Sequence, residues 1–362
     1  MASALYIHIP FCHRVCPYCA FFKHTPGATD MRAFVAGIVR EARLRLPQGW
    51  APRTIYFGGG TPSMLSPTHL EELITGLKQH IDTSQVVEWS FEANPATFTP
   101  AKVEHWRTLG INRVSLGAQS FDSALLRLLG REHSPEQIAH SVQMLRNAGI
   151  PQVNLDLMFC LPGQSVEQWR TTLECALALQ PEHISTYSLS VEPGTPFAET
   201  YTPPEEETEV ELYTLAHELL SAAGYRHYEV SNYAAGNNTR SLHNLTYWRG
   251  EDYCGLGPGA FGTLNGIRYM NTEDTASYSC ALAAGLLPPG TQERPTAAER
   301  RTEQLGLMLR TDEGVPLTLL SPTARPVLDT LIAEGLAGCT ATRLTLTPRG
   351  LLLADEIATQ LM

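Results

Sequence analysis

Three cysteines crowd between positions 12 and 19, in the run Cys12-His13-Arg14-Val15-Cys16-Pro17-Tyr18-Cys19. Thiolates spaced C-x3-C-x2-C on one short loop suit a polynuclear iron centre. Three of them can hold three irons of a 4Fe-4S cubane and leave the fourth without a protein ligand. A protein that only relays electrons normally closes its cluster with a fourth cysteine, whereas an open corner is a place where a small molecule can bind. Two other chemistries compete for the same residues. Cys16-Pro-Tyr-Cys19 alone has the form of a dithiol redox motif, although Cys12 would then be superfluous. Zinc could take the three thiolates with His8 or His13 completing a tetrahedral site. A chance gathering of core cysteines is disfavoured by Pro10, His13, Arg14 and Pro17, and the other cysteines stand singly at 160, 175, 254, 280 and 339.

Further chemistry-bearing residues stand where short apolar runs end. Gly58-Gly59-Gly60-Thr61-Pro62 would let a ligand approach the backbone, and would equally serve a tight turn. Glu92, in Glu92-Ala-Asn94-Pro95, Gln119, in Gly117-Ala-Gln119-Ser120-Phe121, and Asp156, in Asn154-Leu-Asp156-Leu-Met158, follow the same placement. Carboxylates at the ends of apolar strands are costly to bury unless paired or ligand-bound. One could pair with Arg113 or Arg131, but polar groups at the same end of successive strands point to one shared site. Gly257-Pro-Gly259-Ala-Phe-Gly262 has the form G-x-G-x-x-G, yet no strand is expected before it and proline sits where a nucleotide loop would offer an amide.

The elements that must carry these residues are legible in outline. Strands are expected at Leu5–Ile9, Thr54–Phe57, Val87–Glu92, Arg113–Leu116, Val153–Met158 and His183–Ser188, alternating with amphipathic stretches. Ser66-Pro67, Thr99-Pro100 and Ser134-Pro135 mark helix starts, and Gly110 and Gly149 mark helix ends. Six βα units in succession curl into a complete or partial barrel, with its site at the C-terminal ends of the strands; a doubly wound open sheet is the alternative. Beyond residue 200 a helix to about Ala223 leads into a Gly-, Asn- and aromatic-rich stretch, Tyr225–Asn271, expected as ligand-bearing loops. Helices near Ala297–Leu309 and Thr323–Glu334, with a hairpin at Ala337–Leu346, suggest a small winged-helix-like unit.

Composition sets the outer bounds. Hydrophobic residues at 43% and charged residues at 17% fit a folded globular chain, and a formal net charge of -11 argues against a broad nucleic-acid or anionic-membrane surface. No long apolar run suggests a membrane segment, and Met1–Pro10 lacks the basic start of a signal peptide, so a cytoplasmic location is expected.

With these blocks in place, the chain resembles the HemN/HemW group of radical S-adenosylmethionine (SAM) proteins over nearly its full length. Tyr6-Ile-His-Ile-Pro-Phe-Cys12, Gly58–Pro62, Gly117-Ala-Gln-Ser-Phe-Asp122 and Asp156-Leu-Met-Phe-Cys-Leu-Pro-Gly-Gln164 follow the group's blocks in order. The branch that oxidatively decarboxylates coproporphyrinogen III continues its cysteine loop to a fourth cysteine, where this chain has Phe21. Together with His243-Asn244-Leu-Thr-Tyr247-Trp248, that ending resembles the heme-chaperone branch.

The resemblance implies an α/β fold. Residues 1–200 would form a partial (β/α)6 radical SAM barrel, 201–290 a family-specific extension, and 291–362 the winged-helix-like unit. It implies a 4Fe-4S cluster on Cys12, Cys16 and Cys19. SAM would lie among Tyr6, Tyr18, Gly59, Gly60, Thr61, Glu92, Gln119, Arg131, Asp156 and Ser190, and heme iron on His243. Implied partners are heme or another tetrapyrrole, heme-acceptor proteins, an electron donor for the cluster, and a second copy in a homodimer; no nucleic acid is expected. Enzymatic hydrogen abstraction from a tetrapyrrole, as in oxygen-independent coproporphyrinogen III dehydrogenase, is the alternative activity. The chain departs from the group's pattern at Ala20, where aspartate is common, and at Cys160, where glycine usually stands; the second is expected as a small buried residue.

Overall fold

The computed structural model describes residues 3–362. Six parallel strands lie side by side in chain order: β1 (Ala4–Ile9), β2 (Thr54–Gly59), β3 (Glu88–Ala93), β4 (Arg113–Gln119), β5 (Gln152–Phe159) and β6 (His183–Ser188). The connections carry α1 (Met31–Arg45), α2 (Pro67–Lys78), α3 (Pro100–Leu109), α4 (Ser123–Leu128), α5 (Pro135–Asn147) and α6 (Val166–Ala178). Ser66 and Thr99 accept the backbone N–H of His69 and Lys102, so the expected caps start α2 and α3. Gly110 and Gly149 adopt φ of 111° and 79°, the left-handed close that only glycine makes cheaply.

The period of two along the strands decides what the sheet encloses. Ile55, Phe57, Phe91, Val114, Leu116, Leu155, Leu157 and Ile184 point outward into the main core beneath the helices. Their alternates, Tyr56, Ser90, Glu92, Ser115, Asn154, Asp156 and Ser185, line a cavity on the other face. Side chains from β2 through β6 reach that one cavity, so the sheet curls into a partial barrel with a polar interior.

Both ends of the barrel are extended by later residues. After α7 (Pro196–Thr200) and α8 (Glu206–Ala222), the hairpin β7 (Arg226–Glu229) and β8 (Asn232–Ala234) joins β6 antiparallel. The helix α9 (Leu242–Trp248) packs on β2 and β3. Then β9 (Tyr253–Leu256) pairs parallel with β1, followed by β10 (Phe261–Leu264), β11 (Ile267–Asn271), α10 (Thr275–Ala283) and β12 (Gly290–Glu293).

Two expectations are corrected here. The stretch 225–271 is strand and helix rather than loop, and Tyr228, Tyr233 and Cys254 in it are fully buried. Gly257-Pro-Gly259 does follow a strand, β9, but it leads to another strand and not to a helix. Its glycines serve packing: a Cβ on Gly257 would fall 2.4 Å from the His8 carbonyl oxygen, and one on Gly259 would fall 2.9 Å from Phe22 Cβ. Glu41 of α1, 0% exposed, locks this extension down. It accepts from Arg45 Nε at 2.7 Å, Gly257 N at 2.9 Å, Asn271 Nδ2 at 2.8 Å and Tyr278 Oη at 2.7 Å.

The last residues build their own hydrophobic cluster from α11 (Ala297–Leu309), β13 (Val315–Pro316), α12 (Arg325–Ala333), β14 (Ala337–Cys339), β15 (Arg343–Leu346) and, beyond α13 (Pro348–Leu351), whose Leu351 packs on the main core, α14 (Ala354–Leu361). The expected hairpin is β14–β15; β13 completes a three-stranded antiparallel sheet in the order β13-β15-β14. Asp312, in the turn after α11, pairs with Arg226 at 2.7 Å and Arg240 at 2.8 Å. Among the described residues no helix is long and apolar enough to cross a membrane.

Candidate functional site

The cysteine loop leaves β1 at the C-terminal end of the barrel. Its base is pinched shut, since Cys12 N donates to His24 O at 2.9 Å and His24 N donates to Pro10 O at 2.8 Å. Inside that pinch Cys12, Cys16 and Cys19 are all partly buried. Burial first, and the neighbouring thiols in addition, raise the pKa values of Cys12 and Cys19, so iron would have to displace protons from them. Among the described residues no three His, Cys, Asp or Glu side chains gather around one metal ion. A cubane does not ask for that, because each thiolate holds a different iron. The donor set therefore fits a 4Fe-4S cluster.

From Cys12 a chain of hydrogen bonds crosses the mouth of the barrel and returns to the same loop. Thr61 Oγ1 donates to Cys12 Sγ at 3.5 Å and accepts from Asn94 Nδ2 at 3.1 Å. Arg131 donates from Nη1 to Asn94 Oδ1 at 2.7 Å and from Nη2 to Tyr18 Oη at 2.9 Å. Residues after β2, after β3 and after α4 are thus tied to the cysteine loop. The Nε of Arg131 is buried with no partner, a cation whose donor capacity is not exhausted by the protein.

Beside this chain opens the cavity, about 660 Å3, lined by Tyr18, Cys19, Gly59, Gly60, Thr61, Glu92, Gln119, Arg131, Asp156 and Ser190 among others. Glu92 accepts from Tyr56 Oη at 2.8 Å and from Gly59 N at 3.1 Å. Burial chiefly, with help from Asp156, pushes its pKa up to about 7. Asp156 accepts from Ser115 Oγ at 2.9 Å and Asn154 Nδ2 at 2.7 Å, and burial lifts it to about 6 despite these bonds. Arg113 is not the partner of either carboxylate; it pairs with Glu88, Nε to Oε2 at 3.2 Å. Two weakly acidic carboxyls facing one cation suit a zwitterionic ligand with hydroxyl or amine groups.

The glycine triplet has a structural cause of its own. A Cβ on Gly59, at φ 106°, would sit 2.4 Å from the His8 ring, and one on Gly60 would sit 2.7 Å from the Pro10 carbonyl carbon. Strand β1 and its loop lie directly against this turn. Gln119 and Cys160 also adopt left-handed φ, 65° and 57°, unusual for residues with a Cβ. The second value explains why glycine suits position 160, and the Cys160 side chain is buried.

Of the residues expected around SAM, all but Tyr6 thus meet at one cavity, and His243, expected on heme iron, is placed elsewhere. Tyr6 is beside Tyr56, ring centroids 6.1 Å apart, with its hydroxyl 3.0 Å from His8 Nδ1, and does not line the cavity. His243 lies at the opposite end of the strands, 0% exposed, inside α9. Its Nδ1 is 2.9 Å from Thr54 Oγ1 and its Nε2 is 2.7 Å from Tyr247 Oη. Burial lowers its pKa to about 3. Neither ring nitrogen is free for heme iron while α9 stays seated. Sequence reading missed Tyr56, Asn154, His183 and Tyr187, which line the interior. The period-two alternation against Ile55, Leu155 and Ile184 was the signal that could have found the first three.

The fold and this site define a class. The profile described as Radical SAM superfamily matches residues 6–176. The heme chaperone HemW of Lactococcus lactis subsp. lactis (strain IL1403) is 37% identical, over 76% of this chain and 73% of that protein. The heme chaperone HemW of Bacillus subtilis (strain 168) is 34% identical, over 99% of this chain and 98% of its own. The solved structure of coproporphyrinogen III oxidase (HemN) from Escherichia coli, a radical SAM enzyme, superposes with a TM-score of 0.84 at 21% identity, over 99% of this chain and 90% of that one; at that identity the likeness speaks for the fold. The chain belongs to the HemW family of the radical SAM superfamily.

Proposed function

We propose that the chain is a cytoplasmic heme chaperone: it binds heme and hands it to heme-requiring proteins such as respiratory enzymes, with a 4Fe-4S cluster on Cys12, Cys16 and Cys19 and SAM in the adjoining cavity. The observation that carries this reading is identity along nearly the whole chain with a heme chaperone, 34% over 99% of the residues. Phe21, at the position of the dehydrogenase branch's extra cysteine, supports it.

When bound, the cluster supplies an open iron and a single electron taken from an external donor. The chain's own residues do the rest. Arg131 offers a cation to a carboxylate, held in place by Asn94 and Tyr18. Glu92 and Asp156 offer carboxyls to hydroxyl or amine groups, and Thr61 touches the Cys12 sulfur. Phe21, 70% exposed, gives the cysteine loop an apolar tip for a partner or a flat ligand. Both nitrogens of His243 are engaged by the Thr54 and Tyr247 hydroxyls, so a bond from its ring to heme iron requires α9 to shift.

A second reading, SAM cleavage followed by hydrogen abstraction from a tetrapyrrole, is favoured by one observation: the cavity runs on past Asp156 to Asn154, His183 and Ser241, and does not close behind the first carboxylates. Anaerobic reconstitution followed by parallel assays separates the two. Heme transfer to an apo-acceptor without coproporphyrinogen decarboxylation is the expected result. Decarboxylation without transfer reverses the assignment.

A further inference from the structure

We propose that Asn94 is a positioning residue that aims the Thr61 hydroxyl at the Cys12 sulfur, and so sets how readily a cluster on that thiolate accepts an electron. The inference rests on the reading of Cys12 as a cluster ligand and adds a residue to it.

The argument begins with the two unlike ends of an amide. Asn94 has one acceptor oxygen and one donor nitrogen, and which way it points is fixed by its neighbours. A guanidinium can only donate, so Arg131 Nη1, 2.7 Å away, compels Oδ1 to face it. Nδ2 must then face Thr61 Oγ1, at 3.1 Å. That contact occupies a lone pair of the hydroxyl and leaves its single proton for Cys12 Sγ, at 3.5 Å. The direction of the whole chain is therefore set by the one member that cannot reverse, Arg131.

The backbone is shaped to hold the amide there. Asn94 precedes Pro95, its carbonyl accepts from Thr97 Oγ1 at 2.7 Å, and a Cβ on Gly117 would fall 2.9 Å from its Oδ1. Hydrogen bonds to cluster sulfurs stabilise the reduced, more negative state and raise the reduction potential. Removing the Thr61 proton from Cys12 should lower it.

Asn94→Asp tests the claim, because it replaces the donor end by a second acceptor of the same shape. Arg131 keeps its partner, while the Thr61 hydroxyl turns to the carboxylate and deserts the sulfur. The added charge also lowers the potential, so the decisive quantity is a double-mutant cycle with Thr61→Val. Midpoint potentials of the full-length, anaerobically reconstituted protein would be followed by electron paramagnetic resonance during redox titration.

With Asn94 in place, Thr61→Val is expected to shift the midpoint to more negative values, and Thr61→Ser to leave it unchanged. In the Asn94→Asp background the Thr61→Val shift is expected to vanish. An equal shift in both backgrounds, or none in the first, overturns the proposal. Where the Asn94→Asp variant fails to assemble, Asn94→Leu serves instead: it frees the hydroxyl from direction, the Thr61→Val shift should shrink, and an undiminished shift overturns the proposal equally. If the wild-type protein itself assembles no cluster, the cluster reading has failed first; a wild-type cluster with an additive cycle condemns the role of Asn94 alone.

Discussion

At the floor of the barrel the polar side chains are spent on one another, whereas at its mouth they are held short of satisfaction. His183 bonds Asn154 Oδ1 at 2.6 Å and Tyr228 Oη at 2.8 Å, Asn154 Nδ2 donates to Ser115 and Asp156, and Ser185 Oγ donates to Asn154 Oδ1. Glu88 accepts from Arg113 and from the Leu242 and His243 amides at the start of α9. Arg113 Nη1 is a floor atom left over. At the mouth, by contrast, Arg131 Nε has no partner, two carboxyls are pushed toward neutrality, and Gln119 and Cys160 carry left-handed backbone that costs about 1–3 kcal/mol each. The mouth was expected to hold SAM, and His243, which proves to sit at the floor, was expected to hold heme. A floor already satisfied by protein reads as structure, and a mouth with donors, acceptors and thiols in reserve reads as a binding site.

The contrast breaks or holds most sharply at the cysteines. Single Cys12→Ala, Cys16→Ala and Cys19→Ala variants should each lose essentially all cluster iron and visible absorption after anaerobic reconstitution, while folding stays near wild type. Cys160→Ala and Cys175→Ala should keep their iron. Iron content equal to wild type in any of the first three would remove that cysteine from the ligand set.

The floor makes the opposite demand. His243→Ala should cost about 3 kcal/mol of stability, through a cavity and two stranded hydroxyls, Thr54 and Tyr247, read as a lower thermal midpoint. Heme retention should fall no further than the loss of folded protein explains. A variant that melts like wild type but loses the heme absorption bands would return the axial-ligand role to His243.

How much of this contrast the sequence carried depends on how far apart the interacting residues lie. The six strands were legible because Leu5, Ile7 and Ile9, or Ile55 and Phe57, alternate within a few residues, and capping pairs such as Ser66-Pro67 announce helices locally. Glu92, Gln119 and Asp156 were legible as a common site because Glu92 and Gln119 fall at the ends of their strands and Asp156 lies inside the next one. The strands β7 to β11, added on either side of the six, were not. They are only three to five residues long, and β9 is fixed as a strand by pairing with β1, Tyr6 opposite Gly255, and with β10. His243 looked ligand-like in a loop, and only the fold brings Thr54 to its Nδ1. Asn94 stood inside a quoted motif without a role, since its meaning lies in Thr61 and Arg131, which the chain delivers from different turns.

A smaller test probes the seam where the mouth meets β1. Gly59→Ala must accept φ 106° and push on the His8 ring, itself pinned by Tyr6 Oη at 3.0 Å and the Phe22 carbonyl at 2.8 Å. The expected cost is about 2 kcal/mol. Because the same turn borders the cavity, SAM affinity of the reconstituted protein should weaken as well, while the cluster persists. Calorimetric melting and SAM titration report the two effects separately, and unchanged SAM affinity would detach the glycine turn from the ligand.

The smallest expected effect lies in the pH dependence of the mouth. Glu92 holds its proton up to about 7 and Asp156 up to about 6, burial being the first cause for both. In the unfolded chain both ionise in the ordinary carboxylate range. Between that range and about pH 7 the folded state therefore binds more protons than the unfolded state. This part of the stability is complete at low pH and drains away as pH rises through the window. Because the two carboxyls are raised to different values, about 7 and about 6, the loss is spread over the window. Glu92→Gln keeps the shape and removes the proton. It should flatten the decline of ligand-free stability across the window by on the order of 1 kcal/mol, discounted for water in the cavity. The difference between wild-type and variant melting midpoints, measured at intervals from pH 5 to 8, isolates this contribution from the other titrating groups. A difference that stays constant with pH would mean that Glu92 is ionised throughout, and that the mouth is as fully compensated as the floor.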